Sequence, residues 1–177
     1  MRSSTSTGRR SRYTCLPIVN TRHVYRTGVV GALRPSGYRA LLPFGYRADV
    51  ITDTTRCPCL SGNPYGECCG PLHAGAAVPT AERLMRSRFS AFALGLPEYL
   101  LHTWHPRTRP SDLELDPQQR WTRLDVLSTS AGGPFDTTGT VAFRAWWRSD
   151  DDRGTLEETS TFVREHGRWS YVDGVVG

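Results

Sequence analysis

Lysine is absent from this sequence: all 22 basic residues are arginine. Functional selection for Arg over Lys at every basic position is implausible, so we attribute the absence to a coding bias such as a GC-rich genome gives. We infer no function from it. The informative feature is where the arginines lie, because they are distributed unevenly along the chain.

Long apolar runs and a secretory signal are also missing. No stretch approaches the roughly 20 consecutive apolar residues that span a bilayer. The N-terminus has no short apolar core followed by a small-residue cleavage site. The composition, with 38% hydrophobic and 22% charged residues, is that of an ordinary globular protein. We therefore expect a cytoplasmic protein without a membrane-spanning helix.

Acidic residues are scarce in the first third of the chain. Residues 1–56 carry 10 Arg and two acidic residues, whereas residues 57–177 carry 12 Arg and 15 acidic residues. The mildly acidic later part argues against a nucleic-acid-binding fold, because such binding needs a basic surface facing the phosphates. Nucleic-acid binding is left to the arginine-rich segment, as an alternative.

Residues 1–56 are predicted to be a disordered extension. The segment has no hydrophobic periodicity and offers too little apolar surface to offset the entropy of ordering. No Met lies between Met1 and Met85, and we expect the functional protein to begin near Val50, downstream of an overlong gene start. A nucleic-acid-binding arm and an organellar transit peptide are the alternatives.

Four of the five cysteines lie within 13 residues, as Cys57, Cys59, Cys68 and Cys69. A Cys-x-Cys pair can direct two thiolates at one centre, and glycines in the intervening segment let the second pair approach. Four sulfur ligands at about 2.3 Å suit tetrahedral Zn²⁺ and leave no open position, so the predicted ion is structural. A disulfide pair or free thiols are the alternative, which the missing secretory signal disfavours.

A helical period follows the cysteine cluster. Thr80 is a good N-cap and Gly95 ends the helix. One face of this helix carries an apolar stripe made of Ala81, Met85, Phe89, Phe92 and Leu96. Arg88 interrupts the stripe, and Ser87 and Ser90 fall outside it. The pattern predicts an amphipathic helix with one buried face.

The rest of the chain changes from helical to strand periodicity. A second helix is predicted from Pro97 to about Trp104, and another helical turn within residues 111–120. From Trp121 the period is two, and four strands are predicted, separated by turns at 132–134, 150–154 and 165–167. Helices followed by a four-strand meander predict an α+β fold in which a curved antiparallel sheet wraps the helices.

These segments resemble a known family. Residues 57–70, which read Cys-Pro-Cys-Leu-Ser-Gly through Glu-Cys-Cys-Gly, are similar to the SEC-C motif found at the end of the preprotein translocase ATPase SecA. The later segments resemble the bacterial YchJ family at residues 84–92, 103–106, 158–162 and 169–174. The resemblance covers about residues 57–175.

The resemblance implies a nuclear-transport-factor-2-like (NTF2-like) cone of helices wrapped by a curved sheet, over residues 78–177. It also implies a zinc module over residues 57–72, with zinc on the four cysteines. Two features depart from the pattern. Leu60 stands where the motif usually has Gly, and the second cysteine motif that many relatives carry after the last strand is missing.

Two charged residues are predicted to point into the cone. Helix phase places Arg88 among apolar residues, and strand parity places Glu158 on the face of Leu156 and Phe162. A buried charge needs a partner, so we expect Arg88 and Glu158 to form a structural ion pair inside the cone.

A ligand pocket is the alternative for this interior. Arg88 would bind an anionic group, and Glu158 would exchange a proton. The side chains predicted to line such a pocket are Arg88, Tyr99, Trp104, His105, Glu158, Ser160 and Tyr171. His105 is predicted to be a capping or packing residue before a general base, and no catalytic residue is assigned.

The sequence therefore predicts a zinc-binding adaptor protein whose metal module docks a protein partner. By resemblance to the SecA tail, the partner is expected to be an export chaperone or the ribosome. The alternative is a small-molecule-binding protein or enzyme that uses the cone.

Overall fold

The computed structural model describes residues 51–177. The disorder predicted for residues 1–50 lies outside the described residues. Residues 51–56, which were predicted to be disordered as well, form a turn and a short β-bridge. The ordered cysteine module therefore begins before Cys57.

Backbone hydrogen bonds explain this difference. The Tyr65 N–H donates to the Thr55 carbonyl at 2.7 Å, and the Gly66 N–H donates to the Asp53 carbonyl at 2.9 Å. A module this small has few internal partners for its backbone groups, which must be paired once they are buried. The preceding turn supplies those partners.

Helices come first and strands last. The module contains a 3₁₀ turn at Tyr65–Glu67 and the short helix α1, Gly70–His73. The helices α2 and α3 follow, at Ala81–Leu94 and Pro97–His102. The strands are β1, Arg120–Ala131; β2, Thr138–Arg148; β3, Arg153–Glu165; and β4, Arg168–Val176. None of the helices in the described part of the chain has the length and apolar character needed to cross a membrane.

Helix α2 begins and ends as predicted. The Thr80 side chain accepts a hydrogen bond from the Arg83 N–H at 3.1 Å, and Gly95 adopts the left-handed conformation with φ 67°. Its burial is broader than predicted. Ser87 and Ser90 lie outside the apolar stripe, yet both are fully buried, because the cysteine module covers this second face.

Helix α3 is shorter than predicted and stops at His102. The chain beyond it runs beside β4, where the Tyr171 N–H donates to the Thr103 carbonyl at 2.9 Å and the His105 N–H donates to the Tyr171 carbonyl at 2.7 Å. Trp104 therefore lies in an extended bridge to the sheet.

The helical turn predicted within residues 111–120 is absent. Asp112 accepts a hydrogen bond from the Leu113 N–H at 2.9 Å, and Asp116 accepts one from the Gln118 N–H at 2.8 Å. Such local side-chain bonds offer the backbone an alternative to the helix.

The predicted four-strand meander is confirmed. The strands pair antiparallel in the order β1-β2-β3-β4, and irregularities in register occur in β1 and between β3 and β4. Bulges of this kind increase the bend and twist of a sheet. The concave face packs on α2 around a core that includes Leu84, Met85, Phe89, Leu124, Val141, Phe143, Phe162 and Tyr171.

Candidate metal centre and cone interior

The four cysteines predicted to bind metal lie together. All pairs of their Sγ atoms are within 4.8 Å of one another, and all four are buried free thiols. The Sγ atom of Cys68 is 3.5 Å from that of Cys59 and 3.9 Å from that of Cys69. A tetrahedral site with Zn–S bonds of about 2.3 Å has sulfur–sulfur edges of about 3.8 Å. The donor set therefore fits one zinc ion.

A tight backbone path brings the two cysteine pairs together. The Cys57 N–H donates to the Asn63 carbonyl, and the Leu60 N–H donates to the Cys57 carbonyl, both at 3.0 Å. Leu60 has a φ of 58° and Gly62 a φ of 97°. A side chain with a Cβ atom is strained in this left-handed region. The conformation explains why the SEC-C motif usually has Gly at the position of Leu60.

Polar groups outside the cluster donate to two of the sulfurs, those of Cys68 and Cys69. The Arg83 Nη1 donates to Cys68 Sγ at 3.3 Å, and the Ser61 hydroxyl lies 3.1 Å from the same sulfur. The Ser90 hydroxyl donates to Cys69 Sγ at 3.4 Å. Such donors favour thiolate over thiol, and thiolates are the form that binds metal.

The thiols influence one another strongly. Hydrogen bonds from Cys59 and Cys69 lower the pKa of the Cys57 thiol to about 3. Hydrogen bonds with Cys57 and Cys59 raise the pKa of the Cys69 thiol, and burial raises it further. One thiolate is stabilised by its neighbours, whereas additional thiolates in the same buried space need a cation.

A histidine connects the module with α2. His73 Nε2 lies 2.9 Å from the Ser87 carbonyl, which can only accept, so Nε2 carries the proton. Its Nδ1 then accepts from the Tyr65 hydroxyl at 2.8 Å. Burial lowers the pKa of His73, consistent with this neutral tautomer. The Tyr99 hydroxyl lies 2.7 Å from the Ser87 hydroxyl, so Tyr99 belongs to this contact and not to the predicted pocket.

Arg88 is buried in the cone, as predicted, but its partners are neutral. Its Nη1 donates to the Leu100 carbonyl and to Thr103 Oγ1, both at 2.8 Å. Its guanidinium carbon lies 5.1 Å from the ring centre of Trp104 and 4.5 Å from that of Tyr171. Burial lowers the pKa of Arg88 to about 10.

Glu158 is also buried in the cone. Its Oε1 accepts from the Ser160 hydroxyl at 2.6 Å and from the Tyr171 hydroxyl at 3.3 Å, while its Oε2 has no partner. Burial raises the pKa of Glu158, and the two hydrogen bonds offset part of that rise.

The predicted ion pair between Arg88 and Glu158 is wrong, since no nitrogen of Arg88 lies within 4.0 Å of the carboxylate. Both side chains border one cavity of about 10 Å³, measured as the space open to the centre of a water molecule. The residues that line it are Met85, Arg88, Phe92, Phe143, Glu158, Ser160 and Tyr171. A cavity of this size holds about one water molecule.

Two other predicted pocket residues do not line this cavity. Trp104 packs edge-on against Tyr171, with ring centres 5.1 Å apart. His105 accepts from the Arg107 N–H at its Nδ1 and contacts Glu165 through Nε2, both at 3.3 Å. His105 thus occupies a packing position, as predicted, and lies away from the cone interior.

Sequence reasoning missed the residues of α2 that face the module. Arg83, Ser87 and Ser90 are spaced i, i+4 and i+7, which places them in one stripe of the helix. A row of small or polar residues beside an apolar row was the available signal. It indicates a helix that is covered on two sides by different surfaces.

Comparison with known proteins agrees with this architecture. Residues 54–71 match the model of the SEC-C motif, and residues 80–174 match the model described as YchJ, middle NTF2-like domain. The solution structure of a SEC-C motif containing protein from Rhodopseudomonas palustris is similar, with a TM-score of 0.59 and 32% sequence identity, covering 69% of this chain and 98% of that chain.

Curated relatives match about two thirds of this chain over nearly their whole length. A UPF0225 protein of Streptomyces coelicolor is 55% identical, with 68% of this chain and 95% of the relative covered. A UPF0225 protein of Ralstonia nicotianae is 48% identical, with 68% of this chain and 91% of the relative covered. With its SEC-C motif followed by an NTF2-like domain, this chain belongs to the YchJ family.

Proposed function

We propose that this chain is a zinc-binding adaptor protein whose metal module docks a protein partner. The four buried thiols suit a structural zinc ion, since four protein ligands leave no position open for substrate. The ion would hold the short module in a defined shape. The module would then present a fixed surface to the partner.

The exposed side chain of Leu60 carries this proposal. It is 40% exposed although it is large and apolar, and it stands at a positive φ where Gly would be relaxed. Strained residues persist where the surrounding structure determines them, and they concentrate at functional sites. An apolar contact for a partner accounts for both the strain and the exposure.

The cone interior gives less support to the alternative function. Ligand pockets usually enclose about 300–1,000 Å³, whereas the space beside Arg88 and Glu158 is about 10 Å³. A small-molecule substrate has no room there unless the aromatic side chains around it move.

The partner class follows from resemblance alone. Because the module resembles the SEC-C motif of the SecA tail, we propose an export chaperone or the ribosome as the partner. Co-sedimentation with purified ribosomes and pull-down with a purified export chaperone test the two candidates separately. Both should use the full chain with its metal content measured first.

Leu60→Gly is the informative variant, because it removes the apolar contact and relaxes the backbone at the same position. Phe135→Ser is the matched control, since Phe135 is 98% exposed and lies in the loop between β1 and β2. We expect Leu60→Gly to weaken binding at least about tenfold without loss of stability, and Phe135→Ser to bind like the wild type. Equal binding by both variants would refute the docking surface.

A further inference from the structure

The face of α2 that packs on the cysteine module carries side chains that donate hydrogen bonds to cysteine sulfurs. Arg83 and Ser90 lie seven positions apart on this face, with Ser87 between them. Ser87 contacts the module through its carbonyl, which accepts from His73. Arg83 and Ser90 contact ligand atoms of the candidate metal centre itself.

Arg83 approaches Cys68 with two nitrogens. Its Nη1 donates to the sulfur at 3.3 Å and its Nη2 donates to the carbonyl of the same residue at 3.0 Å. Among residues 51–177, no carboxylate lies within 4.0 Å of Arg83. The nearest charge that the guanidinium can offset is therefore that of the cysteine cluster.

Ser90 lies against the other side of the cluster. Its side chain is fully buried, and its hydroxyl is 3.4 Å from Cys69 Sγ and 3.6 Å from Cys57 Sγ. A hydroxyl has one proton and donates to one sulfur at a time. The shorter contact assigns that proton to Cys69.

A buried tetrathiolate site creates a need for such donors. Four thiolates around a zinc dication leave a net charge of about minus two in a place shielded from water, and uncompensated buried charge is costly. Groups that donate to the ligating atoms orient them and tune the metal affinity. Arg83 supplies a full positive charge, and Ser90 supplies a neutral donor.

We propose that Arg83 and Ser90 set the metal affinity of the module, so that α2 of the NTF2-like domain completes the site. This inference rests on the proposed binding of zinc. It makes both residues positioning residues, which act through the sulfurs of Cys68 and Cys69. The module and the domain then bind metal as one unit.

Arg86 provides a matched control one turn along the same helix. Its side chain also reaches the module, but it donates to the Cys59 carbonyl at 3.4 Å and to Glu82 at 2.8 Å. It contacts no sulfur among the described residues. Arg83→Gln and Arg86→Gln therefore remove the same charge from neighbouring positions, but only Arg83 contacts a ligand atom, whereas Arg86 is paired with Glu82.

The experiment measures zinc affinity by competition with a chromogenic chelator, in the full chain at one pH. Arg83→Gln should weaken zinc binding by about 10- to 100-fold, the usual effect of losing a group that supports a ligand. Ser90→Ala should weaken it by a smaller factor, Arg83→Lys should restore part of the loss, and Arg86→Gln should match the wild type.

Substitution of cobalt for zinc adds a spectroscopic signal that should not change if the two residues only pack against the module. The thiolate-to-cobalt charge-transfer band should shift in Arg83→Gln and Ser90→Ala, because donors to sulfur change its electron density. Unchanged bands together with affinities equal to that of Arg86→Gln would overturn the inference while leaving zinc binding intact. Failure of the wild type to bind zinc would overturn both the inference and the proposed function.

Discussion

The two faces of α2 bury polar groups in opposite ways. On the module face, four thiols converge within 4.8 Å, and Arg83 and Ser90 donate to their sulfurs. On the cone face, Arg88 and Glu158 are each held by neutral groups and do not pair with each other. Thiolates gathered on the module face would need a cation, whereas on the cone face burial shifts the pKa values of Arg88 and Glu158 towards their neutral forms.

This difference predicts that the two faces respond differently to perturbation, the module face to loss of its ion and the cone face to loss of single side chains. If the thiolates are held together by a metal ion, loss of that ion should strongly destabilise the module. Because α2 is shared by both faces, the rest of the fold should lose stability as well. A site whose charged groups are kept apart should respond to each side chain separately. The predictions below test these expectations.

Metal removal should have the largest effect. Because α2 supports both the module and the sheet, chelation of the bound zinc should cost more than about 5 kcal/mol of unfolding free energy and lower the melting temperature by more than about 10 °C. Elemental analysis should first give one zinc per chain. Calorimetry with and without chelator checks the prediction, and an unchanged melting curve of the zinc-free protein would contradict it.

Arg88→Met should be the most damaging single change on the cone face. It keeps an unbranched apolar stem but leaves the Thr103 hydroxyl without its donor and the Leu100 carbonyl with only the weaker bond from Thr103. We expect a loss of about 2–4 kcal/mol in urea unfolding, from the unpaired acceptor and the lost cation–π contacts. Arg86→Met is the control, with an expected loss of about 0–1 kcal/mol. Equal losses would show that burial of Arg88 is not the cause.

Gly174→Ala tests where the Glu158 carboxyl lies. A Cβ atom at Gly174 would collide with this carboxyl group, and such overpacking typically costs about 1–3 kcal/mol. Adding Glu158→Ala removes the obstacle, so the double variant should lose less stability than the sum of the two single losses. Additive losses would place the carboxyl elsewhere.

Glu158→Gln should change the pH dependence of stability. The folded state raises the pKa of Glu158 above the unfolded value of about 4.3. The stability that Glu158 contributes is therefore fully present below the unfolded pKa. As the pH rises towards the folded pKa, the free energy of unfolding falls by up to about 1.4 kcal/mol per pH unit. The Gln variant should lack this slope. Parallel stability curves for the two proteins between pH 4 and pH 7, roughly the window above the unfolded pKa, would rule out the shift.

Leu60→Gly should have the smallest effect, and it should be favourable. Relief of the left-handed strain is worth roughly 1–2 kcal/mol, of which the greater flexibility of unfolded Gly removes a part. We expect the zinc-bound variant to gain about 0.5–1 kcal/mol in thermal or urea unfolding. A loss of stability would show that Leu60 packs within the module and would weaken its assignment as a docking contact.

Several features were predictable from the sequence because their causes are local. Thr80 and Gly95 mark the ends of α2 through their own conformations and their bonds to the adjacent turn. The alternation in β3 placed Glu158 and Ser160 correctly on the buried face. The spacing of Cys57 and Cys59 indicated that both face one centre, which the structure bears out.

Other features were not predictable because their partners lie elsewhere in the chain. Strand parity placed Glu158 inside the cone, and helix phase did the same for Arg88. Neither pattern determines the distance between the two side chains. Tyr99 was assigned to the same interior, and it instead contacts Ser87 on the module face. The failed helix within 111–120 reflects side-chain bonds that compete with a weak helical pattern.

By itself, the sequence determined the cysteine cluster, the ends of the long helix and the strand meander, because each depends on residues within a few positions of one another. Only the tertiary structure decided that α2 has two buried faces. Ser90 meets Cys57 across 33 positions of sequence, and Arg83 meets Cys68 across 15. Such contacts depend on how the module folds back onto the helix, which the helical period alone does not determine.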